Sequence, residues 1–239
     1  MLNSNEHLIN LIEDFHFEED LIKGKLIDIC EIGFGDLSFM FYLMNLLPNA
    51  KFSGIEKFVK KEQSGLANCI IKQVSNKLSL DSNNQIKIFK LIENTCASEY
   101  VFSLFKLFTL FILEKSRSRF YEKSYFQRNL KLFYETNFKY DFQFEHNNLF
   151  DLVVLRKVLS KIDSQDRLSI VDKIHSILKS RGLFYLRINS CDNEETQNEN
   201  LVSKTTIDYL KTKFSEIHHE VINREGENTY NDYLFRKKL

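Results

Sequence analysis

Apolar residues fill Leu26 to Ile32, yield to glycines at Gly33 and Gly35, return from Leu37 to Leu47, and recur in a short stretch that ends at Ile55 and Glu56. The pattern predicts a buried strand, a tight turn, a helix, and a second strand closed by a carboxylate. Further along, Phe144 to Asn148 reads as a strand end and short turn, followed by a buried strand through Asp151 to Leu155. Ser164 to Lys179 then places Leu168, Val171, Ile174 and Leu178 at three-to-four spacing on one helical face, with Ser164 available as its cap. Arg181 and Gly182 turn into another apolar strand, Leu183 to Ile188. A helix over Lys204 to Lys213 and strands near Phe214 to Val221 and Tyr230 to Arg236 complete the predicted elements.

The first of these units has the form of a nucleoside pocket. Glycines at the end of a buried strand let backbone approach a ligand, and a carboxylate at the end of the next strand can accept both ribose hydroxyls. Gly33 and Glu56 lie 23 residues apart, close to the ~20 of a nucleotide-binding βαβ unit. The turn reads Gly33-Phe34-Gly35-Asp36-Leu37-Ser38, so Asp36 stands where a dinucleotide's diphosphate would sit. An anion there would be repelled by roughly a kcal/mol or more. A cofactor with a sulfonium and no phosphate suits this turn better than NAD or FAD.

Glu31, Gly33, Gly35 and Glu56 together resemble the class I S-adenosylmethionine-dependent methyltransferases, whose first motif is an acid followed by x-G-x-G and whose second strand ends in an acid. The wording EIGFGD with PNAKFSGIE is similar to the tRNA guanine-N7 branch, but the proline-rich motif of that branch has no counterpart, Pro48 being the only proline. The resemblance implies an α/β fold, a Rossmann-like, doubly wound and mostly parallel seven-stranded sheet. It also implies S-adenosyl-L-methionine as cofactor and S-adenosyl-L-homocysteine as product. The cofactor residues it implies are Glu31, Gly33, Phe34, Gly35, Glu56 and Leu155, with Asn147 or Asn148 at a strand end hydrogen-bonding the adenine amino group. Two family features differ: Leu37 stands at the frequent third glycine, and in Lys-Ser-Arg-Gly only Gly182 matches the usual turn before the fifth strand.

Composition narrows the class further. The chain of 239 residues is long enough to bury a substantial core and reads as one domain over 1–239, with a helical cap over 1–24. Basic and acidic residues each number 33, so no net field recruits nucleic acid. Cys30, Cys69, Cys96 and Cys191 show no paired spacing, which predicts neither a zinc site nor a disulfide scaffold. Glu6, Glu13, Asp14, Glu18 and Glu19 crowd the first residues, which do not read as a targeting signal, and a cytoplasmic location is expected.

Residues 84–140 depart from a minimal methyltransferase and are expected as a helical, aromatic-rich insertion before the third strand, acting as a lid or interface. Tyr100 to Leu113 is apolar except for Ser103, Lys106 and Thr109, whose spacing of three makes one narrow polar stripe on a buried rod. It is shorter than the ~18 residues of a membrane span, so a core or lid helix or a homodimer contact is expected and no membrane partner. Downstream, Arg117, Arg119, Lys123, Arg128 and Lys131 interleave with Phe120, Tyr121, Tyr125, Phe126, Phe133 and Tyr134. That text reads either as an amphipathic helix pair with a solvated face or as a surface that tracks RNA while stacking bases.

Two residues are candidates for catalysis. His146, beside the strand end, can take a proton from an acceptor, and Arg156, after the fourth strand, can orient an acceptor carboxylate through its fork of donors. His218 and His219 alternate on a late strand and face opposite ways, so no shared metal is expected. His175 reads as a boundary residue of its helix. The text after the fourth strand, LRKVLSKID, lacks the proline-rich motif that amino-directed DNA and glutamine methyltransferases resemble one another in, and Asn49 rather than a cysteine directly follows Pro48, so the proline-cysteine motif of carbon-5 cytosine methyltransferases has no counterpart. The expected function is methyl transfer to oxygen or nitrogen of a small-molecule or peptide acceptor. An RNA methyltransferase and an inactive methyltransferase-like subunit are the alternatives.

Overall fold

The structure is a computed structural model, and it describes residues 27–35, 37–47, 50–56, 105–106, 123–133, 138, 149–189, 202, 204–222 and 229–239. The expected cap over 1–24 and most of the insertion lie outside the described residues. Seven strands form one sheet in the order β3-β2-β1-β4-β5-β7-β6. They are β1 (Ile27–Ile32), β2 (Ala50–Ile55), β3 (Leu130–Phe133), β4 (Phe150–Arg156), β5 (Leu178–Asn189), β6 (Phe214–Ile222) and β7 (Tyr230–Lys237). The described helices are α1 (Ser38–Leu46), α2 (Lys123–Asn129), α3 (Ser164–Ile177) and α4 (Lys204–Lys213), with a single 3-10 turn at Leu159–Lys161. The α/β class and the seven-stranded, Rossmann-like sheet match expectation. The sheet is mixed: β4 runs parallel to β1 and β5, whereas β7 is antiparallel to both β5 and β6.

Contacts group the chain into two units, the first holding 1–26, 34–52 and 58–131 and the second 27–33, 53–57 and 132–239. In the first unit, α1 is apolar around nearly its whole circumference, and Phe39, Met40, Phe41, Tyr42, Leu43 and Met44 are all buried. Its start is set by Leu37, whose φ of 64° is left-handed, and whose carbonyl accepts from the Phe41 N–H at 2.9 Å. Phe41 meets Phe105 edge-on at 5.4 Å, and Phe105 meets Phe126 of α2 at 5.3 Å. Phe105 is buried and Lys106 exposed, in keeping with the stripe expected through that run. The rest of 100–113 lies outside the described residues.

The expected helix pair is only partly observed. Phe126 is buried and Arg128 exposed on α2, but the chain leaves the helix at Leu130 and becomes β3, the edge strand, inside the stretch expected to precede the third strand. Four residues with a single buried side chain carry too little alternation to be recognised locally, and pairing in the sheet decides them instead.

In the second unit the two faces of the sheet differ in character. Side chains alternate across a strand, and one set gathers Cys30, Ile32, Val153, Leu155, Phe184, Leu186, Ile188 and Phe235 into an apolar core with Val171 and Ile174 of α3 and Leu210 of α4. The other set carries Glu31, Arg156, Tyr185, Arg187 and Asp232. The buried face of α3 consists of Arg167, Ile170, Val171, Ile174 and Ile177, so the expected face was rotated: Leu168 is 37% exposed. The cap position belongs to Asp163 rather than Ser164, and Arg167 reaches back to donate from Nε to the Ile162 carbonyl at 2.9 Å. Between α3 and the apolar part of β5 the register slips, Phe150 pairing with Leu178 and Leu152 with Leu183. Arg181, at φ 62°, makes that turn, and a Cβ on Gly182 would come within 2.9 Å of the Lys179 carbonyl and 3.2 Å of the Phe150 carbonyl.

Candidate active site

The carboxyl ends of β1, β2 and β4 meet at Gly33. Its N–H donates to the Ile55 carbonyl at 2.7 Å, which ties the first strand's end to the second's, and its φ of 70° is a conformation glycine adopts without strain. The expected reason for this glycine was room for a ligand. Packing gives a further reason: the space a Cβ would need is already filled by Val158, whose Cγ2 would lie 2.2 Å from it. The turn continues through Phe34, which is buried, and Gly35 at φ 55°. Glu56 follows β2 at 7% exposure, its N–H held by the Phe133 carbonyl at 2.9 Å. Edge strand β3 therefore fixes the direction in which the chain leaves β2, and with it the placement of the carboxylate.

Arg156 stands at the end of β4 as expected, but its fork is committed. Nε and Nη2 both donate to Glu31 Oε1, at 3.0 and 2.7 Å, with the Glu31 side chain 2% exposed and that of Arg156 19%. Strand order places these residues on neighbouring strands and on one face, which sequence spacing could not reveal. Glu31 thus serves as the counter-ion of Arg156 at the carboxyl ends of two inner strands. Leu155 belongs with the apolar core on the opposite face, so its side chain is turned away from Glu31. His146, Asn147 and Asn148 lie outside the described residues. Among the described residues, the third strand in chain order ends at Phe133.

A second polar group escaped sequence reasoning. Arg187 of β5 and Asp232 of β7 face each other across an antiparallel register pair, and both are buried. Arg187 Nε donates to Asp232 Oδ1 at 2.6 Å, Nη2 donates to Oδ2, and the Tyr185 hydroxyl donates to Oδ2 at 2.5 Å. Burial opposes the charge on Arg187, yet the Asp232 carboxylate overcomes it and holds the guanidinium protonated. Burial first, and then the Asp232 charge, push the Tyr185 hydroxyl well above its usual value, so it stays a donor. The available signal was two charged residues at inward positions of apolar strands, LFYLRIN and YNDYLF. Next to Arg156, Lys157 takes φ 60°, donates its N–H to the Arg187 carbonyl at 2.8 Å, and lays its ammonium 4.0 Å from the centre of the Tyr230 ring. Burial pushes the Cys30 thiol far up, with Glu31 adding to the effect, so it is an inert core group.

His219 stacks on Tyr233 at 4.2 Å and bonds Asn231, while His218 approaches Glu220. Among the described residues no cluster of three metal-binding side chains occurs, and no helix is long and apolar enough to cross a membrane.

No family model matches the sequence, and no curated protein does. Solved structures do match the fold. The N-methyltransferase NodS from Bradyrhizobium japonicum WM9 aligns over 99% of this chain and 96% of its own, with a TM-score of 0.54 at 13% identity. The fold is that of the S-adenosylmethionine-dependent methyltransferases. A protein from Pyrococcus horikoshii OT3 shares that fold at TM-score 0.55, 13% identity, and 99% and 90% coverage. Burkholderia thailandensis 1,6-didemethyltoxoflavin-N1-methyltransferase, solved with 1,6-didemethyltoxoflavin and S-adenosylhomocysteine bound, shares it at TM-score 0.52 and 10% identity, over 92% of this chain and 75% of its own. At such identities the likeness is one of architecture, so the residues of this site are read from this chain alone.

Proposed function

We propose that this chain is an S-adenosylmethionine-dependent methyltransferase that moves a methyl group to an oxygen or nitrogen of a small-molecule or peptide acceptor. The observation that carries this reading is the Gly33 turn bonded to Ile55 at the carboxyl ends of β1 and β2, with the buried Glu56 directly after it. In an open α/β sheet that crevice is where ligands bind. When bound, S-adenosylmethionine supplies an electrophilic methyl carbon on a sulfonium.

The chain's own residues would supply the rest. Glu56 accepts hydrogen bonds from vicinal ribose hydroxyls, and a buried carboxylate does so strongly. The turn at Gly33 presents backbone rather than side chain to the adenosyl moiety. Glu31, neutralised by Arg156, leaves that edge of the site without a strong net field. Transfer is an in-line displacement: the acceptor's lone pair forms the new bond as the carbon–sulfur bond breaks, and the acceptor then releases a proton. Little acid–base work is needed beyond orientation.

Calorimetry with S-adenosylmethionine on the purified chain tests the proposal. Micromolar binding is expected, weakened by about 1.5–3 kcal/mol in Glu56→Ala, the worth of charged hydrogen bonds. Gly33→Arg should abolish it. No heat at millimolar cofactor would leave the reading of an inactive subunit.

A further inference from the structure

The carboxyl ends of the strands sort their charges: Glu31 lies on β1 and Glu56 directly after β2, whereas Arg156 ends β4, Lys157 directly follows it and Arg187 lies near the end of β5. Two of these cations are held by carboxylates, Arg156 by Glu31 and Arg187 by Asp232. Lys157 differs, because among the described residues no carboxylate lies within ion-pair reach of its ammonium. Its side chain is exposed, while the Tyr230 ring beneath it is 7% exposed. A non-glycine residue at φ 60° is strained, and here the strain is held by the bond from its N–H to the Arg187 carbonyl. The result is an ammonium pinned along an aromatic face at the mouth of the sheet, 4.0 Å from the ring centre.

We propose that Lys157, seated on Tyr230, is the specificity residue of the acceptor site and binds a carboxylate carried by the methyl acceptor. This rests on the methyltransferase reading above, and it places the acceptor over the ends of β4 and β5, beside the crevice in which an open α/β sheet binds ligands. The ring restrains a long side chain that would otherwise lose rotamer freedom on binding, so the cation is presented already ordered. Arg156 was the residue expected to hold such a carboxylate; its commitment to Glu31 shifts the role to its neighbour. An acceptor with a positive group at the same place would be repelled.

The probe is benzoate, a carboxylate on a flat apolar body, with benzamide as its neutral counterpart, followed by saturation-transfer NMR on the full-length chain. Benzoate is expected to bind roughly tenfold more tightly than benzamide, the scale of one charge-assisted hydrogen bond. Lys157→Gln should erase that preference while the melting temperature stays close to wild type, and Lys157→Arg should retain most of it. Equal binding of the two probes, no benzoate signal at tens of millimolar, or a preference that survives Lys157→Gln overturns the proposal. Calorimetry with S-adenosylmethionine separates the two readings. Cofactor binding without a benzoate preference sinks this inference alone, and a benzoate preference without cofactor binding sinks the methyltransferase reading and with it the acceptor role, leaving Lys157 only as a carboxylate-binding residue.

Discussion

Arg156→Ala would remove both hydrogen bonds given to Glu31 Oε1, at 3.0 and 2.7 Å, and deprive a carboxylate only 2% exposed of its cation. Breaking a buried ion pair from one side typically costs ~3–5 kcal/mol. Arg156 is itself 19% exposed, so water reaches the gap and the lower end, about 3 kcal/mol, applies. Glu31→Gln keeps an acceptor oxygen and costs about 1 kcal/mol, the difference between a charged and a neutral hydrogen bond. In the Arg156→Ala background the same change should instead restore about 1–2 kcal/mol, because a buried amide is less costly than a buried carboxylate that has lost its cation. The sign reversal is the decisive quantity. Urea midpoints from circular dichroism and tyrosine emission measure it, the chain having ten tyrosines and no tryptophan. A loss below about 0.5 kcal/mol for Arg156→Ala, the size of an ordinary surface substitution, would refute the argument. So would a Glu31→Gln change that deepens the loss.

Gly182→Ala should cost about 1–3 kcal/mol by overpacking, since the carbonyls it meets at 2.9 and 3.2 Å are backbone and cannot swing aside; thermal melting reports it. Leu37→Gly relieves about 1–2 kcal/mol of left-handed strain but gives up a fully buried leucine worth about 2–3 kcal/mol and frees the unfolded chain, so a net loss in melting temperature is expected rather than a gain. Burial first, then the Lys237 and Lys213 ammonium groups, hold the His175 imidazole below its usual 6.5, against the opposing pull of Asp172. The unfolded chain therefore binds more protons in the window just below 6.5, and this part of the stability is complete above that value and lost as pH falls. Melting curves of wild type and His175→Gln should converge toward acid, and a constant offset from pH about 7 to 5 would contradict it.

Most of the elements were legible because their signals are local. The βαβ unit around Gly33, the buried strand before Arg156, the helix Lys204–Lys213 and the two last strands each carry their period within a dozen residues, and each appears within about two residues of its expected place. The misreadings share a cause. Leu168 fits the spacing of α3 as well as Ile170 does, and only the position of the sheet selects which face is covered. β3 has four residues and becomes a strand because β2 offers it an edge. Leu37 reads as a missing glycine, yet its buried side chain outweighs the strain of its backbone.

By itself, the order of residues determined which segments are strands and helices and which carboxylates and glycines end them, since backbone propensity and hydrophobic period act over neighbours. Strand order decided the rest. It brought Arg156 to Glu31 across 125 residues and Arg187 to Asp232 across 45, placed Val158 in the space over Gly33, and left Lys157 over Tyr230. Charges and shapes interact through space, so the pairing of groups far apart in the chain exists only once the sheet has set which strands are adjacent and which side chains share a face.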